Sequence, residues 1–572
     1  MLESLKFNKE TLGPDLGAGL TVALVSIPEG MAYALVAGVN PIYGLYTGIV
    51  TTIVASLTAS TSLLIVTLTN AMALVAGEQL LGLGEDADPV RALFTLTLMT
   101  GVIMFGLGRF KLGGVIRYVS REVMSGFIFA TALLIILGQY KDLVGYASTL
   151  ETNKLFKAID ITLHAGSWNV PAAVVGFGSI LVLLLLKRSP FKKWADIAII
   201  LLATLFVVLI GWERVELVGD IATVPRGLAA LPKPVLPDFS LIPALISGAI
   251  AAAVVGLAES SGIAAAFPNR DGSRSDMSKD FASQGLANLV GSFFQGMPAS
   301  GSLSRTGINR SGGALSRWGG VYSGVLLAVT LVLFGGYAEL IPMPGLAALL
   351  IVIGLEVMLK EGAELIEAWQ VSRLNTLVAI ITILVGVFTD LTVAIFTGVI
   401  LSLLLYTFVS AGQFKVVTLV HDKDGKWFES PLPATLPSNQ VTIIEIRGNL
   451  FFASVYSFDE LLPAPDEAVN AVVILRARDR RLSSLTGVNW LVKYHHQLTA
   501  AGNKLMFSGV EDEFIEILKK AEAVERLGIE NIFLAEAQLF ASTEKALAAA
   551  QTWLSTRHST VETGSDAVLI EE

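Results

Sequence analysis

Cysteine is absent from the 572 residues, and only five residues are histidine. The lack of thiols excludes disulfides, thiolate metal sites, iron–sulfur clusters and cysteine nucleophiles. With so few histidines, a His-rich zinc or iron site is not expected either. Charge is also scarce: 16% of the residues are charged and 53% are hydrophobic, whereas soluble domains carry about 25% charged residues. The composition therefore indicates an integral membrane protein.

The charge that is present is negative and unevenly distributed. The formal charge is −9 at pH 7, which argues against a nucleic-acid partner because such proteins need a basic face. About −7 of it lies after Gln413, while the preceding residues carry few charges. This shift predicts a transmembrane domain over 1–413, a linker over 414–437, a cytoplasmic α/β domain over 438–554 and a disordered tail over 555–572.

Apolar stretches recur between residues 17 and 412, about 14 in number, and several have the ~20 residues that cross a bilayer. The N-terminal segment MLESLKFNKETLGPD is polar and has no signal-peptide pattern. If the N-terminus is cytoplasmic, the basic clusters after the even-numbered spans all lie on the cytoplasmic side, as the positive-inside rule requires. We expect an even number of spans with both termini cytoplasmic, in the plasma membrane or the inner membrane of a Gram-negative bacterium.

Two apolar stretches are interrupted by polar residues at corresponding positions, seven spans apart. Span 3 is TSLLIVTLTNAMALVAG (61–77), and span 10 begins with MPASGSLSRTGINRSGG (297–313). Spans 1 and 8 also correspond, since each carries one carboxylate, Glu29 and Glu259, in an apolar run. Paired interruptions of this kind are typical of a transporter binding site between inverted repeats.

The chemistry of such a site favours an anion. Two half-helices that meet head-on present free N–H groups and positive dipole ends to the gap between them. Hydroxyl groups that can donate to an anion belong to Thr69, Ser300, Ser302 and Ser304. Arg305 adds a fixed positive charge. The structural alternative is that the hydroxyls only cap helices or pack closely at a tight junction.

An isolated cation inside a membrane is costly, so Arg305 is expected to have a carboxylate partner. We expect Glu259 to pair with Arg305, and Glu29 to stay unpaired and carry the coupling proton. Two structural alternatives remain open. One is that Glu29, which follows Pro28, only caps a backbone group. The other is that the ion pair of Glu259 and Arg305 only stabilises the fold.

Two long motifs resemble the SulP family of sulfate-permease-like anion transporters, which includes relatives of prestin. The first is PEGMAYALVAGVNPIYGLY (28–46), and the second is SQGLANLVGSFFQGMPASGSLSRTGINRSGG (283–313). The resemblance covers nearly the whole chain. One departure is that span 3 reads Thr67-Leu68-Thr69 where the family usually has Gly-Pro-Thr.

The resemblance implies an α-helical polytopic membrane protein of 14 spans, built as 7+7 inverted repeats with a core and a gate domain. The anion is then expected between spans 3 and 10. The predicted substrate-binding residues are Tyr33, Thr69, Asn70, Gly301, Ser302, Ser304 and Arg305. The residues implied for coupling to H⁺ or Na⁺ are Glu29 and Glu259. A sodium ion, if one is bound, is expected at Thr69, Glu259 and Ser302.

The acidic C-terminal part alternates strand and helix patterns, which predicts a sheet covered by helices. Predicted strands are 441–448, 471–477 and 503–509, and predicted helices are 450–462, 486–500, 511–523 and 540–554. Its position after the last span resembles the STAS domain of SulP proteins. In the loop RLSSLTG, Ser484 stands where related regulatory proteins have Asp. We therefore expect a dimer-forming or regulatory scaffold rather than a phosphorylation switch.

These features favour a secondary active transporter of inorganic or small organic anions, preferably sulfate or a dicarboxylate, coupled to H⁺ or Na⁺ by an elevator-type movement. The alternatives are a Na⁺-dependent bicarbonate symporter and an uncoupled anion channel or exchanger. No nucleotide loop, metal cluster or nucleophile–base pair in the sequence supports an enzyme. The partners expected are a small anion, membrane lipid and a second copy of the chain. No cofactor other than Na⁺ is expected.

Overall fold

The computed structural model describes residues 9–83, 88–112, 119–190, 192–269, 272–412, 415–422, 424–447, 461–465, 468–478 and 485–566. The chain divides into two compact units, Met1–Leu403 and Leu404–Glu572. The boundary lies about ten residues before the composition shift at Gln413.

The first unit is almost entirely helical. In chain order its elements are α1 (Lys9–Val36), α2 (Ile42–Thr58), β1 (Val66–Thr67), α3 (Asn70–Leu81), α4 (Pro89–Arg109), α5 (Arg121–Val144), α6 (Lys154–Leu163), α7 (Val170–Lys187), α8 (Ala195–Ile210), α9 (Val218–Ile221), α10 (Ile242–Ala266), α11 (Met277–Phe293), β2 (Ser300–Gly301), α12 (Leu303–Ser311), α13 (Trp318–Phe334), α14 (Met343–Val371), α15 (Arg373–Phe388) and α16 (Leu391–Gly412), which crosses into the second unit.

Within the described residues, eight helices are long and apolar enough to cross a membrane, and α2, α8 and α15 are shorter apolar helices. Helices α7 and α8 are apolar around most of their circumference and expose many leucine and valine side chains. A surface of this kind suits hydrocarbon and not water. The prediction of a multi-pass membrane protein is therefore confirmed, and the count of fourteen spans stays a prediction.

The helices pack in two groups. In the core group, α1 packs against α2, α12 and α13, and α10 packs against α3, α4 and α11. In the gate group, α5 packs against α7, α14 and α15, and α7 and α14 both pack against α8. Gly398 of α16 lies against Val123 of α5 and Thr382 of α15, which places α16 in the gate group. That these groups are the core and gate domains implied by the resemblance stays a prediction.

Glycines allow α4 and α11 of the core group to approach closely. A Cβ on Gly108 would lie 2.3 Å from the backbone nitrogen of Ala282, and one on Gly285 would lie 2.2 Å from that of Phe105. Helices in lipid associate through such small residues, because water does not drive their apolar faces together. The contact therefore requires glycine at these positions, since any side chain would collide with the facing helix.

The second unit is an α/β domain. Its elements are β3 (Lys415–His421), β4 (Trp427–Ser430), β5 (Val441–Arg447), β6 (Val472–Arg476), α17 (Leu485–Ala500), β7 (Lys504–Val510), α18 (Asp512–Lys520), α19 (Val524–Leu527), β8 (Ile532–Leu534) and α20 (Ala541–Asp566). The six strands form one sheet in the order β4-β3-β5-β6-β7-β8, in which β5 to β8 are parallel and β3 and β4 are antiparallel.

Both faces of this sheet are covered. Ile444 and Val473 point to one side, where α17 and α18 pack, and Ile443 and Ile474 point to the other, where α20 packs. This alternation follows from the two-residue period of a strand. The prediction of a sheet covered by helices agrees with this arrangement.

Two boundary predictions are wrong. Residues 414–437 are not a linker, because they contain β3, which pairs with β5, and β4, which pairs with β3. The turn between β3 and β4 has Gly425 at φ +80°. β4 has only four residues and β3 buries few of its side chains, so sequence alternation alone did not reveal them. Residues 555–566 are not a disordered tail but the end of α20, since an Ala-rich helix packed at its start propagates easily. Ser484, most of the predicted helix 450–462 and residues 567–572 lie outside the described residues.

A first prediction concerns the contact of α4 with α11. Gly108→Ala should destabilise the first unit by about 1–3 kcal/mol, because the added methyl group collides with the backbone of α11. Gly106→Ala on the same helix has nothing within 4 Å of the new atom, so it should be neutral or raise stability by up to about 1 kcal/mol. Thermal unfolding of the purified protein in detergent measures both. Equal effects of the two variants would contradict this packing.

Candidate functional site

The two interrupted segments meet as a short antiparallel strand pair, in which Thr67 of β1 lies opposite Ser300 of β2. Directly after these strands, α3 begins behind its N-cap Thr69 and α12 begins behind its N-cap Ser302. Because the strands run antiparallel, the two helices leave the pair in opposite directions. Their N-terminal ends therefore face each other across the strand pair. The sequence Thr67-Leu68-Thr69 supports this geometry without the family's Gly-Pro-Thr.

Buried amide side chains of α11 hold β2 in place. Asn288 donates to the carbonyl of Ala299 at 2.8 Å and accepts from its N–H at 2.8 Å. The side-chain oxygen of Gln284 accepts from the N–H of Gly301 at 2.9 Å. Both amides are fully buried, and buried polar groups are costly unless they are paired. The backbone of β2 is therefore fixed by side chains as well as by its partner strand.

Hydroxyl groups hold β1 in the same way. Thr52 of α2 donates to the carbonyl of Val66 at 2.8 Å, and Thr51 donates to the same oxygen at 3.0 Å. The hydroxyl of Thr306 on α12 accepts from the N–H of Ile65 at 3.1 Å. The two strands thus have separate sets of supporting side chains, and neither depends on its two-residue partner alone.

Gly301 lies at the most crowded point of β2. A Cβ there would be 2.9 Å from the methyl carbon of Ile263, 3.1 Å from that of Leu64 and 3.1 Å from the hydroxyl of Ser260. The absence of a side chain allows β2 to pass close to α10. This gives Gly301, which is among the predicted site residues, a steric role.

Arg305 forms a buried ion pair with Glu29, not with Glu259. Its guanidinium nitrogen lies 2.5 Å from a carboxylate oxygen of Glu29, and a second nitrogen donates to the hydroxyl of Ser26 at 2.8 Å. Arg305 is 2% exposed and Glu29 is 7% exposed. The predicted pair of Glu259 with Arg305 and the predicted free Glu29 are therefore both wrong.

Glu259 is bound by hydroxyl groups instead. One of its carboxylate oxygens accepts from Thr69 at 3.0 Å and also from Ser300. Among the described residues, no ion pair to Glu259 is found. The expected third oxygen, that of Ser302, is elsewhere, because it accepts from the N–H of Arg305 at 3.3 Å as the cap of α12. Ser300 takes the place predicted for Ser302.

The remaining predicted residues have different surroundings, and none of them is hydrogen-bonded to Glu259. Tyr33 is buried one helical turn after Glu29 on α1. Asn70 accepts from the N–H of Ala71 at 2.7 Å, so its side chain serves the first turn of α3. Ser304 is exposed and makes no contact with the carboxylates. Of the hydroxyls considered, those of Thr69 and Ser300 contact Glu259.

Sequence reasoning missed Ser26 and the amides of α11. Ser26 lies three residues before Glu29, a spacing that places both side chains on one face of a helix. This spacing could have indicated that Ser26 lies beside Glu29 at the site. Gln284 and Asn288 lie four residues apart in the second family-like motif, but nothing in the sequence indicates that they bind the backbone of β2.

The arrangement favours anion binding next to a site for a proton or a cation. The first N–H groups of α12, those of Leu303 and Ser304, have no acceptor within their own helix, as is general for helix N-termini. Arg305 is neutralised by Glu29, so the remaining positive potential comes from the two helix ends. Within the described residues, no group of three or more histidine, aspartate or glutamate side chains is placed to hold a metal ion.

Comparison with known proteins agrees with this geometry. The sequence model of the Sulfate permease family matches residues 12–382, which include both half-helices. The chain is 28% identical over 557 residues to the Arabidopsis thaliana protein named probable sulfate transporter 4.2, covering 91% of this chain and 79% of that protein.

Two solved structures share the fold. The murine anion transporter Slc26a9, in an inward-facing state, superposes with a TM-score of 0.83 at 19% identity, covering 96% of this chain and 93% of that one. The transmembrane domain of the cyanobacterial bicarbonate transporter BicA gives a TM-score of 0.57 at 19% identity, covering 69% of this chain and 98% of that one. The family match over most of the membrane unit, together with the paired half-helices, shows that this chain belongs to the sulfate permease (SulP) family of membrane anion transporters.

Proposed function

We propose that the protein is a secondary active transporter of small anions, with sulfate or a dicarboxylate as the preferred substrate. The observation that carries the proposal is the gap between the N-terminal ends of α3 and α12, which lies beside a carboxylate that has no cationic partner among the described residues. The gap supplies backbone donors for the anion. The carboxylate supplies the coupling.

Charge couples the anion to a proton or a cation. An anion that enters the gap approaches Glu259, and two negative charges at close range in a low dielectric repel each other strongly. A proton or a cation that neutralises Glu259 removes this repulsion, so it binds together with the anion. Glu29 cannot play this part in the same way, because Arg305 already balances its charge. We therefore assign coupling to Glu259.

A Na⁺-dependent bicarbonate symporter is the second candidate. Thr69, Ser300 and Glu259 bring three oxygen atoms together, with hydroxyl distances of 3.0 Å from Thr69 to Glu259 and 3.4 Å from Thr69 to Ser300. Oxygen ligands of this kind suit a hard cation such as Na⁺. BicA, which shares the fold, is described as a bicarbonate transporter. A proton on Glu259 and a sodium ion beside it are distinguished by the driving gradient.

We further propose that transport proceeds by movement of the core group against the gate group. Contacts of α1 with α12 and α13 correspond to those of α10 with α3 and α4 when the two halves are exchanged. This correspondence supports fourteen spans in two inverted repeats. Since each group contains helices from both halves, each can move as a body, and the strand pair moves with the core group.

The second unit resembles a STAS domain in its position and α/β architecture, and we propose that it supports a homodimer in the cytoplasm. With an even number of spans, the basic loops and both termini lie on the cytoplasmic side. The proposed location is the plasma membrane, or the inner membrane of a Gram-negative bacterium.

The main test is transport in liposomes under separate H⁺ and Na⁺ gradients, with labelled sulfate, fumarate and bicarbonate. A tenfold gradient of the coupling ion, worth about 1.4 kcal/mol, should drive accumulation by the wild type. Glu259→Gln should lose this accumulation and still exchange labelled anion, because neutral Gln no longer responds to the gradient. Glu367→Gln, an exposed carboxylate of α14, is the control. Gradient-driven accumulation by Glu259→Gln would contradict the assignment.

The buried pair of Glu29 and Arg305 gives a second prediction. Glu29→Gln and Arg305→Gln should each destabilise the protein by about 3–5 kcal/mol, because each leaves one buried charge without its partner. The double variant should recover much of this loss in thermal unfolding. Arg305→Gln should also weaken anion binding, since the first turn of α12 loses its anchor to Ser26 and Glu29. Additive losses in the double variant would refute a direct pair.

The role of the second unit gives a third prediction. A chain that ends at Gly412 should keep the membrane unit folded and able to bind anion, because the site residues all lie in the first unit. The dimer should weaken, which light scattering on the purified protein measures. A truncated protein that folds but binds no anion would place part of the site in the second unit. One that stays fully dimeric would remove the proposed role.

A further inference from the structure

The C-terminal end of α3 is bonded to the gate group. The carboxylate of Glu78 accepts from the N–H of Leu391, the first residue of α16, at 2.7 Å. The next residue, Gln79, donates its side-chain N–H to the hydroxyl of Thr392 at 3.2 Å. Two consecutive residues of a core helix thus bind two consecutive residues of a gate helix.

The contact is well suited to hold the two helices together. The N–H of Leu391 belongs to the first turn of α16 and has no acceptor within its own helix. A charged acceptor at a helix N-terminus makes a strong hydrogen bond that the helix dipole supports. The helix also has its own cap, since Asp390 accepts from the N–H of Val393 at 2.9 Å. Glu78 therefore adds a link between helices and is not needed to begin α16.

The opposite end of α3 is the candidate anion site. Its N-cap Thr69 bonds to Glu259, and its twelve residues span about 18 Å at the usual rise of an α-helix. The helix is fixed inside the core group at the Glu78 end as well. A Cβ on Gly77 would lie 2.9 Å from the Cα of Ala37 in the core, and one on Gly248 of α10 would lie 2.2 Å from the side chain of Gln79.

We propose that Glu78 and Gln79 form a latch to α16 that must open in every transport cycle, and that they are positioning residues for transport. The inference rests on the proposed movement of the core against the gate. Because α3 is packed into the core at both ends, displacement of the anion site carries Glu78 and Gln79 with it. These residues then move away from Leu391 and Thr392, which stay with the gate. The latch therefore stabilises the relative position of the core and gate groups seen in this structure.

Cross-linking tests the latch directly, and the cysteine-free chain makes it convenient. Cysteines replace Gln79 and Thr392, and a short bifunctional thiol reagent with a reducible link joins them. In liposomes, the cross-linked protein should lose anion exchange and keep anion binding, and reductant should restore exchange. The control pair is Gln79→Cys with Gly248→Cys, which joins α3 to α10 within the core. Compared with the same variant before the reagent is added, that cross-link should leave exchange unchanged, because both cysteines move with the core.

Weakening the latch tests it independently. Glu78→Ala should change the ratio of the KM values for anion measured from the two sides of the membrane, by about fivefold or more as in other couplings between states. Asp390→Ala removes a cap of the same helix end but no link to the core, so it should lower thermal stability and leave that ratio unchanged. A purely structural Glu78 would behave like Asp390.

The outcomes separate the latch from the proposed function. If the uncross-linked cysteine variants and the wild type exchange no anion, the proposed function fails. If they exchange anion and the fully cross-linked Gln79–Thr392 pair exchanges it equally well, the latch is overturned and the proposed function stands. An unchanged KM ratio in a folded Glu78→Ala protein also overturns the latch.

Discussion

The site depends on one short strand pair that holds two helix N-termini face to face. Two residues of β1 and two of β2 are too few to be stable alone, and isolated hairpins are marginal even when they are longer. The pair persists because Gln284 and Asn288 bind the backbone of β2, and Thr51 and Thr52 bind that of β1. These bonds are buried, where a polar group without a partner is expensive. The cost of breaking them keeps the backbone donors of both half-helices aimed at one gap.

Charge is divided between two carboxylates with different surroundings. Glu29 is neutralised by Arg305 and fixes the first turn of α12 to α1. Glu259 is held by two hydroxyls that cannot neutralise it. The first carboxylate is thus a balanced structural charge, and the second is the group to which the proposed coupling is assigned. The same helix that presents Thr69 to Glu259 reaches the gate at its other end, so the state of the site and the contact between the two groups share one rigid element.

Much of this was predictable from the sequence. Interrupted apolar runs located the half-helices, whereas the N-caps Thr69 and Ser302 were predicted as substrate-binding residues, with capping only as the structural alternative. The partner of Arg305 was not predictable, because α1 and α10 are apolar on nearly every side. Without an amphipathic stripe, nothing in the sequence sets the rotation of each helix about its axis. The strands β3 and β4 were missed for a different reason: few of their side chains are buried, and the pairing of β3 with β5 depends on contacts distant in sequence.

The most direct test of the central claim is the position of a bound anion. Selenate has the shape and charge of sulfate, and its selenium scatters anomalously, so diffraction from crystals grown with selenate locates it without ambiguity. The account predicts one strong selenium peak between the first turns of α3 and α12, within hydrogen-bonding distance of the N–H groups of Leu303 or Ser304. An ordered selenate bound elsewhere in the membrane unit, with none in this gap, would contradict it.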